Sequence, residues 1–154
     1  MPPHALVGSG AFLKGVVREG SLQDGSGPSV ATEVGVLLPE VNGEHGTGAS
    51  LAVVASQRFK ALTIHLNIGG ALTREQHGDL FTGVIFEGPR DWSVRPVAEI
   101  LRDQDFGVGT TTSGLLGAIW QVSDRFAIDG GLRHGRTGGR RLDEIRAGLT
   151  LSFP

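Results

Sequence analysis

The sequence predicts an all-β protein, an antiparallel up-and-down transmembrane β-barrel with about nine strands in one domain over residues 1–154. Three observations predict this fold. Segments of about ten residues alternate between apolar and polar side chains, which is the two-residue period of a strand. Ionisable residues recur on the polar side of these segments. No run approaches the roughly 18 apolar residues of a transmembrane helix, whereas a barrel strand needs only about 9–11 residues.

The composition limits the possible partners and chemistry. The net charge is −2, from 14 Lys and Arg and 16 Asp and Glu, so the chain lacks the basic field that binds nucleic acid. Cysteine is absent, which excludes disulfides, thiolate metal sites and a cysteine nucleophile. The length suits a single domain.

Nine segments have strand character, and clusters of Gly, Asp, Asn, Ser or Pro punctuate the turns between them. In chain order they are 10–18, 29–39, 48–57, 62–72, 79–88, 91–102, 113–122, 125–135 and 143–154. The alternation is clearest at 62–72, where leucine and isoleucine take one parity and Thr63, His65 and Asn67 take the other. At 29–39, valines and Leu38 oppose Glu33 in the same way.

The last two segments repeat the pattern with more charge. At 125–135, Phe126, Ile128 and Leu132 oppose Asp129 and Arg133. At 143–154, apolar residues alternate with Glu144 and Arg146. A charge at every second position excludes a strand that is buried on both faces.

Two segments are ambiguous. Segment 91–102 contains Pro96, which removes a ladder donor, and its apolar spacing fits a helix face equally well; we predict a strand. Segment 113–122 is apolar on both parities apart from Gln121, so its outward face cannot be assigned from the sequence.

The lengths of the connections predict how the barrel is oriented. The connections at 57–60, 88–91 and 123–125 are tight, whereas those at 39–48, 73–79, 103–113 and 134–143 are long. Outer-membrane barrels have short periplasmic turns and longer extracellular loops. Aromatic residues also gather beside the short turns or at the C-terminus, as in a periplasmic girdle. These are Phe59, Phe86, Trp92, Trp120, Phe126 and Phe153.

The strand count and the start of the chain predict a partial barrel. Single-chain barrels normally have an even number of strands. Residues 1–17 show no basic start, apolar run and small-residue cleavage site of a signal peptide. We therefore expect an N-terminal truncation, with at least one upstream strand missing from this chain.

Polar residues on the predicted inner face are candidates for lining a pore, where carboxylates and guanidinium groups tune selectivity. They are Glu33, His65, Asn67, Arg95, Glu99, Asp129, Arg133, Glu144 and Arg146. The alternative is a salt-bridge ladder that fills a narrow lumen, with Asp129, Arg133, Glu144 and Arg146 pairing across the last hairpin.

No catalytic or metal motif stands out. The five histidines are scattered without the spacing that places two imidazoles on one metal, and no GxSxG elbow or phosphate-binding loop is present. We expect no enzyme activity, no metal and no cofactor. His65 is the histidine placed to face the inside of a lumen, beside Asn67. Arg136, Arg140 and Arg141 either bind lipopolysaccharide phosphates or belong to a solvated loop.

The order of several segments resembles a family of outer-membrane barrel transporters, the phenol-degradation meta-pathway type. The segments are FLKGVV, VGVLLPE, GTGASLAVVASQ, LTIHLNIG, VAEIL, GLLGAIW, AIDGGLRHG and EIRAGLTLSF. The resemblance implies a Gram-negative, porin-like protein of the bacterial outer membrane that passes small, often hydrophobic or aromatic molecules. It also implies contact with outer-membrane lipid, lipopolysaccharide and the barrel-assembly machinery. The alternatives are a structural or surface-binding barrel with a filled lumen and a soluble β-barrel or sandwich that binds an apolar ligand.

Overall fold

The fold is a single antiparallel sheet. A computed structural model describes residues 9–39, 45–107 and 109–151. The strands are β1 (Ser9–Arg18), β2 (Ser29–Leu38), β3 (Gly48–Arg58), β4 (Thr63–Leu72), β5 (Gly78–Glu87), β6 (Val94–Asp105), β7 (Gly109–Ser123), β8 (Phe126–Thr137) and β9 (Arg140–Leu151). A short 3-10 turn, Ser21–Gln23, lies between β1 and β2. The nine predicted strands are confirmed, with ends that differ by up to four residues.

Each strand pairs antiparallel with the next, in the order β1 to β9. The all-β, up-and-down prediction is therefore confirmed. Among the described residues no ladder joins β1 to β9, so the sheet is open. Because nine strands alternate in direction, β1 and β9 run the same way.

The predicted alternation of short and long connections is wrong. Strands β6 to β9 continue through most of 103–113 and 134–143, and the β8–β9 connection is only Gly138 and Gly139. Both glycines have positive φ, 54° and 84°, which suits a two-residue hairpin turn whose twist matches the strands. The sequence predicted loops there because Thr, Gly and Arg are frequent. These residues instead continue the strands, and the Thr111 and Thr137 hydroxyls lie 2.6 Å apart across the β7–β8 pair.

Segment 91–102, the most ambiguous one, forms β6 despite Pro96. The Pro96 carbonyl accepts a hydrogen bond of 2.8 Å from the Gly88 N–H. This bond lies just beyond the β5–β6 register, which ends at Glu87 and Val97. The missing proline donor therefore falls at the end of the ladder, where a proline is tolerated.

The cross-strand register divides the side chains into two faces, because directly opposed residues lie on the same side of a sheet. The apolar face includes Leu66 and Ile68 of β4, and the polar face includes His65 and Asn67 of β4. Following the pairs through all nine strands extends both faces. The register also resolves β7, because Leu116 opposes Ala98 and Leu132 and therefore lies on the apolar face.

From β2 to β8 the apolar face is largely exposed and the polar face is shielded, whereas β1 and β9 are mostly exposed on both faces. All buried residues within the described strands lie on the polar face, including Ser29, Ser56, Ser113 and Arg133. Ala127, also on the polar face, is the one buried apolar side chain among the described residues. On the apolar face Leu116 is 71% exposed. A single sheet with nothing packed on it shields only its concave side, so the sheet curls around its polar face.

Candidate functional site

All nine candidate residues predicted from the sequence lie on the polar face, as the register shows. They are Glu33 on β2, His65 and Asn67 on β4, Arg95 and Glu99 on β6, Asp129 and Arg133 on β8, and Glu144 and Arg146 on β9. Side chains alternate between the two faces along a strand. Once one residue of a strand is assigned to a face, the faces of the other residues follow. Whether this face lines a lumen stays a prediction.

The most shielded charge on this face is Arg133. Its Nη2 lies 3.4 and 3.5 Å from the two carboxylate oxygens of Glu99, and the two side chains are 9% and 16% exposed. Leu115 of β7 lies between them in the register, so the pair spans β6 to β8. The guanidinium Nε is buried without a hydrogen-bond partner among the described residues. Arg133 therefore keeps a donor that the described part of the protein does not satisfy.

The predicted pairing across the last hairpin is wrong in its partners. Glu144 lies directly opposite Arg133 in the register, but its carboxylate binds Arg146 on its own strand, with Nε at 2.9 Å. Two residues apart on one strand share a face, which permits this local pair. On the concave side, long side chains converge across a strand, which permits the pair of Arg133 with Glu99.

A second polar cluster lies near the ends of β3, β4, β5 and β6. His65 Nδ1 lies 2.8 Å from the Ser56 hydroxyl, and its Nε2 lies 3.5 Å from the Glu87 carboxylate. Arg95 Nε is 2.8 Å from the other oxygen of Glu87. Ser56 is 4% exposed, so the imidazole is the partner of a buried hydroxyl. The cluster links two predicted residues, His65 and Arg95, through Glu87, which was not among the residues predicted from the sequence.

The alternation in segment 79–88 could have found Glu87. Leu80, Val84 and Phe86 share one parity there, and Asp79 and Glu87 take the other. The register places both carboxylates on the polar face. Asp79 opposes Asp105 of β6, so a group of carboxylates stands at the far end of this face. The described residues hold no group of His, Asp or Glu arranged to bind a metal ion.

Of the remaining candidates, Asn67 and Asp129 have small or apolar neighbours, whereas Glu33 faces a lysine. Asn67 opposes Val54 and Gly83, and Glu33 opposes Lys14 on β1. Asp129 opposes Gly148, where an added Cβ would lie 2.5 Å from a carboxylate oxygen. The Asp129 carboxylate thus occupies the space that the missing side chain of Gly148 leaves free.

Five of the six aromatic residues predicted for the girdle lie at one end of the sheet, as predicted. Phe59 and Trp92 lie in the β3–β4 and β5–β6 connections and are 53% and 56% exposed. Phe86, Trp120 and Phe126 lie on the apolar face at the same end. We call this the aromatic end. Phe153 lies outside the described residues.

None of the described residues belongs to a helix long and apolar enough to span a membrane. Comparison with known protein families, with curated proteins and with solved structures finds no match to this chain. The function must therefore be argued from the two faces of the sheet.

Proposed function

We propose that this chain forms part of an outer-membrane β-barrel that lets small molecules pass, with its apolar face in lipid and its polar face toward a lumen. One observation carries the proposal: large apolar side chains are exposed on all nine strands, while the buried positions are small, polar or charged. In water this distribution would leave a large apolar patch uncovered. In lipid it is the expected one, because barrel strands alternate apolar-out and polar-in.

The lengths of the strands support the same proposal. They range from 10 residues in β1 to 15 in β7, and a tilted barrel strand crosses a bilayer with about 9–11 residues. On β6 the apolar face is continuous from Val94 to Ile100 and then changes to Arg102. On β8 it changes from Leu132 to His134. Both changes suit strands that cross the apolar layer and continue beyond it.

Closure of such a barrel sets a condition on the strands that join it. The free edges of β1 and β9 run in the same direction, so an odd number of further antiparallel strands joins them into a ring. The total is then even, as in bacterial single-chain barrels. These strands would cover the unpaired backbone groups, which lipid cannot satisfy.

The resemblance to the meta-pathway barrel family suggests the solute, a small hydrophobic or aromatic molecule. Selectivity would come from the polar face, where Arg133 has an unsatisfied Nε beside its contact with Glu99. Rings of charged groups on a lumen wall act as such filters. The chemistry required is binding and release, without covalent steps.

A filled lumen is the alternative that a specific observation favours. Several charges on the polar face are paired with one another, as in the contacts of Glu87 with Arg95 and of Glu144 with Arg146. Paired charges that fill a narrow lumen stiffen a barrel without conducting. The two candidate functions differ in conductance.

Cell fractionation tests the membrane proposal. The chain, expressed with an added signal sequence, should fractionate with outer membranes and migrate differently on gels when unheated and heated. Recovery as a soluble monomer without detergent would contradict the proposal, because the exposed apolar face would then be compatible with water.

Conductance tests the lumen. In planar bilayers a pore predicts discrete steps whose cation preference changes in Glu99→Lys and in Arg133→Glu. Asp124→Lys, in the two-residue β7–β8 turn, is the matched control and should leave the preference unchanged. Absence of steps from membrane-inserted protein would favour the filled lumen.

A further inference from the structure

Three arginines share one row on the apolar face. The register runs from Arg102 of β6 through Thr112 of β7 and Arg136 of β8 to Arg141 of β9. All three arginines are exposed, and they stand at the end of the sheet opposite the aromatic end. We call this row the arginine row. The sequence had grouped Arg136 and Arg141 with Arg140, but Arg140 opposes Thr137 and lies on the polar face.

The arginine row lacks an ion-pair partner among the described residues, although Asp143 lies two residues from Arg141 on the same face. None of its three guanidinium groups forms an ion pair there. Arg136 and Arg141 lie directly opposite each other, an arrangement of like charges that destabilises a strand pair. The nearest acid along β9, Asp143, is bound to His134 at 2.6 Å. An external anion would offset this repulsion, and phosphate suits it because guanidinium groups bind phosphate through paired hydrogen bonds.

An apolar groove lies directly beneath the arginine row. It has a volume of about 1020 Å³ and is lined on the apolar face by Ala98, Ile100, Gly114, Leu116, Leu132 and Ile145, and by the paired side chains of His134 and Asp143 on the side of the arginine row. Gly114 leaves the groove open, because a side chain is missing at its centre. A smaller cavity of about 380 Å³ shares Ile100 and Gly114 with the groove and extends to Arg136. The apolar space therefore leads to the charges.

We propose that the groove and the arginine row together bind a phosphorylated lipid, with an acyl chain in the groove and its phosphates on Arg102, Arg136 and Arg141. The inference rests on the proposed function, since it needs this face to meet a bilayer. A free anion would need no apolar groove, and an uncharged lipid would need no arginines. The change from apolar to basic along β6 and β8 places the arginines where headgroup phosphates lie.

The first step of the test checks the proposed function separately from the lipid site. Protein refolded in detergent must show heat-modifiable gel mobility. Recovery of the unsubstituted chain as a soluble monomer without detergent would contradict the barrel. Variants that show the same heat-modifiable mobility as the unsubstituted chain can then be compared for their affinity for the lipid.

Binding of bis-phosphorylated lipid A is then measured by native mass spectrometry of the detergent-solubilised protein. Each arginine near a lipid surface is worth about 1 kcal/mol, so R102Q/R136Q/R141Q should weaken binding about 100-fold. The single variant Arg136→Gln should weaken it about fivefold. Arg140→Gln removes the same charge from the same hairpin but on the polar face, and it should change affinity less than twofold. Equal losses in Arg136→Gln and Arg140→Gln would overturn the site in favour of a diffuse charge effect.

The groove has its own variant and probes. An added Cβ at Gly114 would meet its nearest atom, a backbone oxygen of Glu99, at 3.6 Å, so Gly114→Leu fits and fills the groove. It should weaken lipid A binding about tenfold and leave the gel shift intact. Unchanged binding in Gly114→Leu, or equal affinity for inorganic pyrophosphate, would overturn a lipid as the ligand. Equal affinity for dephosphorylated lipid A would overturn the role of the arginines.

Discussion

The polar face differs between strands β1–β4 and strands β5–β9, although the alternation along the strands is the same in both. In the first region this face carries mostly small or neutral residues such as Ser50, Ala52 and Asn67. In the second region, carboxylates or guanidinium groups recur on four of the five strands, β5, β6, β8 and β9, as with Glu99 and Arg133. The first region therefore leaves space in front of the sheet, and the second fills that space. If the polar face lines a lumen, its constriction belongs to β5–β9.

Two glycines on the polar face, one in each region, are crowded by different kinds of atom. At Gly35 of β2, an added Cβ would collide with the Phe12 ring at 2.4 Å, and that ring is a side chain that can rotate. At Gly117 of β7, the collision would be with the backbone oxygen of Gly130, also at 2.4 Å. Backbone cannot move aside without disturbing a ladder. Gly117 is therefore the more rigidly packed of these two positions.

Removing the central arginine should have the largest effect. Arg133→Met keeps an unbranched side chain but leaves the shielded Glu99 carboxylate without its cation. Loss of one partner of a buried ion pair costs about 3–5 kcal/mol. The free energy of unfolding should fall by this amount. It is measured by unfolding the protein in detergent micelles with urea and following tryptophan fluorescence.

The double variant Glu99→Leu with Arg133→Met is the control. Replacing both partners by apolar residues is often neutral or stabilising, so most of the lost stability should return. A loss below about 1 kcal/mol in Arg133→Met would mean that water solvates Glu99 as it solvates a surface charge. That result would favour an open lumen over a filled one.

A methyl group at Gly117 should have the second largest effect. Gly117→Ala places its Cβ against backbone in β8, and overpacking of this kind costs about 1–3 kcal/mol. Gly130→Ala is the matched control, because Gly130 is on the apolar face and its added Cβ would be 3.6 Å from its nearest neighbour. We expect Gly130→Ala to be neutral or slightly stabilising in the same unfolding measurement. Equal losses would show that the two faces are equally crowded.

The histidine cluster tests the region with fewer charges. His65→Leu leaves the buried Ser56 hydroxyl without a partner and removes one contact of Glu87, which keeps Arg95. An unsatisfied buried hydroxyl costs about 1–2 kcal/mol of unfolding free energy. Asn67→Leu is the control two residues along the same face, since the Asn67 side chain forms no hydrogen bond among the described residues. A loss in Asn67→Leu as large as in His65→Leu would contradict the role of the Ser56 contact.

The strands and the membership of the polar face could be predicted because both follow from the two-residue period. Alternation at 62–72 and 143–154 fixes which side chains share a side, and the register confirms it from Glu33 to Arg146. Segment 113–122 resisted the same reasoning because both parities are apolar. The cross-strand partners of Leu116 decided its face, and a single segment does not contain that information.

The partners on the polar face could not be predicted, because they depend on curvature. Arg133 binds Glu99 across β7 rather than the directly opposed Glu144, since the concave side brings long side chains of alternate strands together. The hairpin lengths at 103–113 and 134–143 were also wrong. Polar residues there continue the strands, and polarity alone does not distinguish a loop from a strand that extends into water.

Glu144→Gln should have the smallest effect. Its comparison with Arg133→Met separates the geometry of an ion pair from its exposure to water. Its pair with Arg146 has better geometry than the pair of Glu99 with Arg133, with Nε at 2.9 Å against 3.4 Å for Nη2. Yet the two side chains are 39% and 45% exposed, so water replaces the lost contact. Exposed pairs contribute about 0–1 kcal/mol, and we expect a loss below about 0.5 kcal/mol in urea unfolding. A loss that approaches that of Arg133→Met would mean that further strands shield β9. Burial on the polar face would then extend beyond the nine strands of the open sheet.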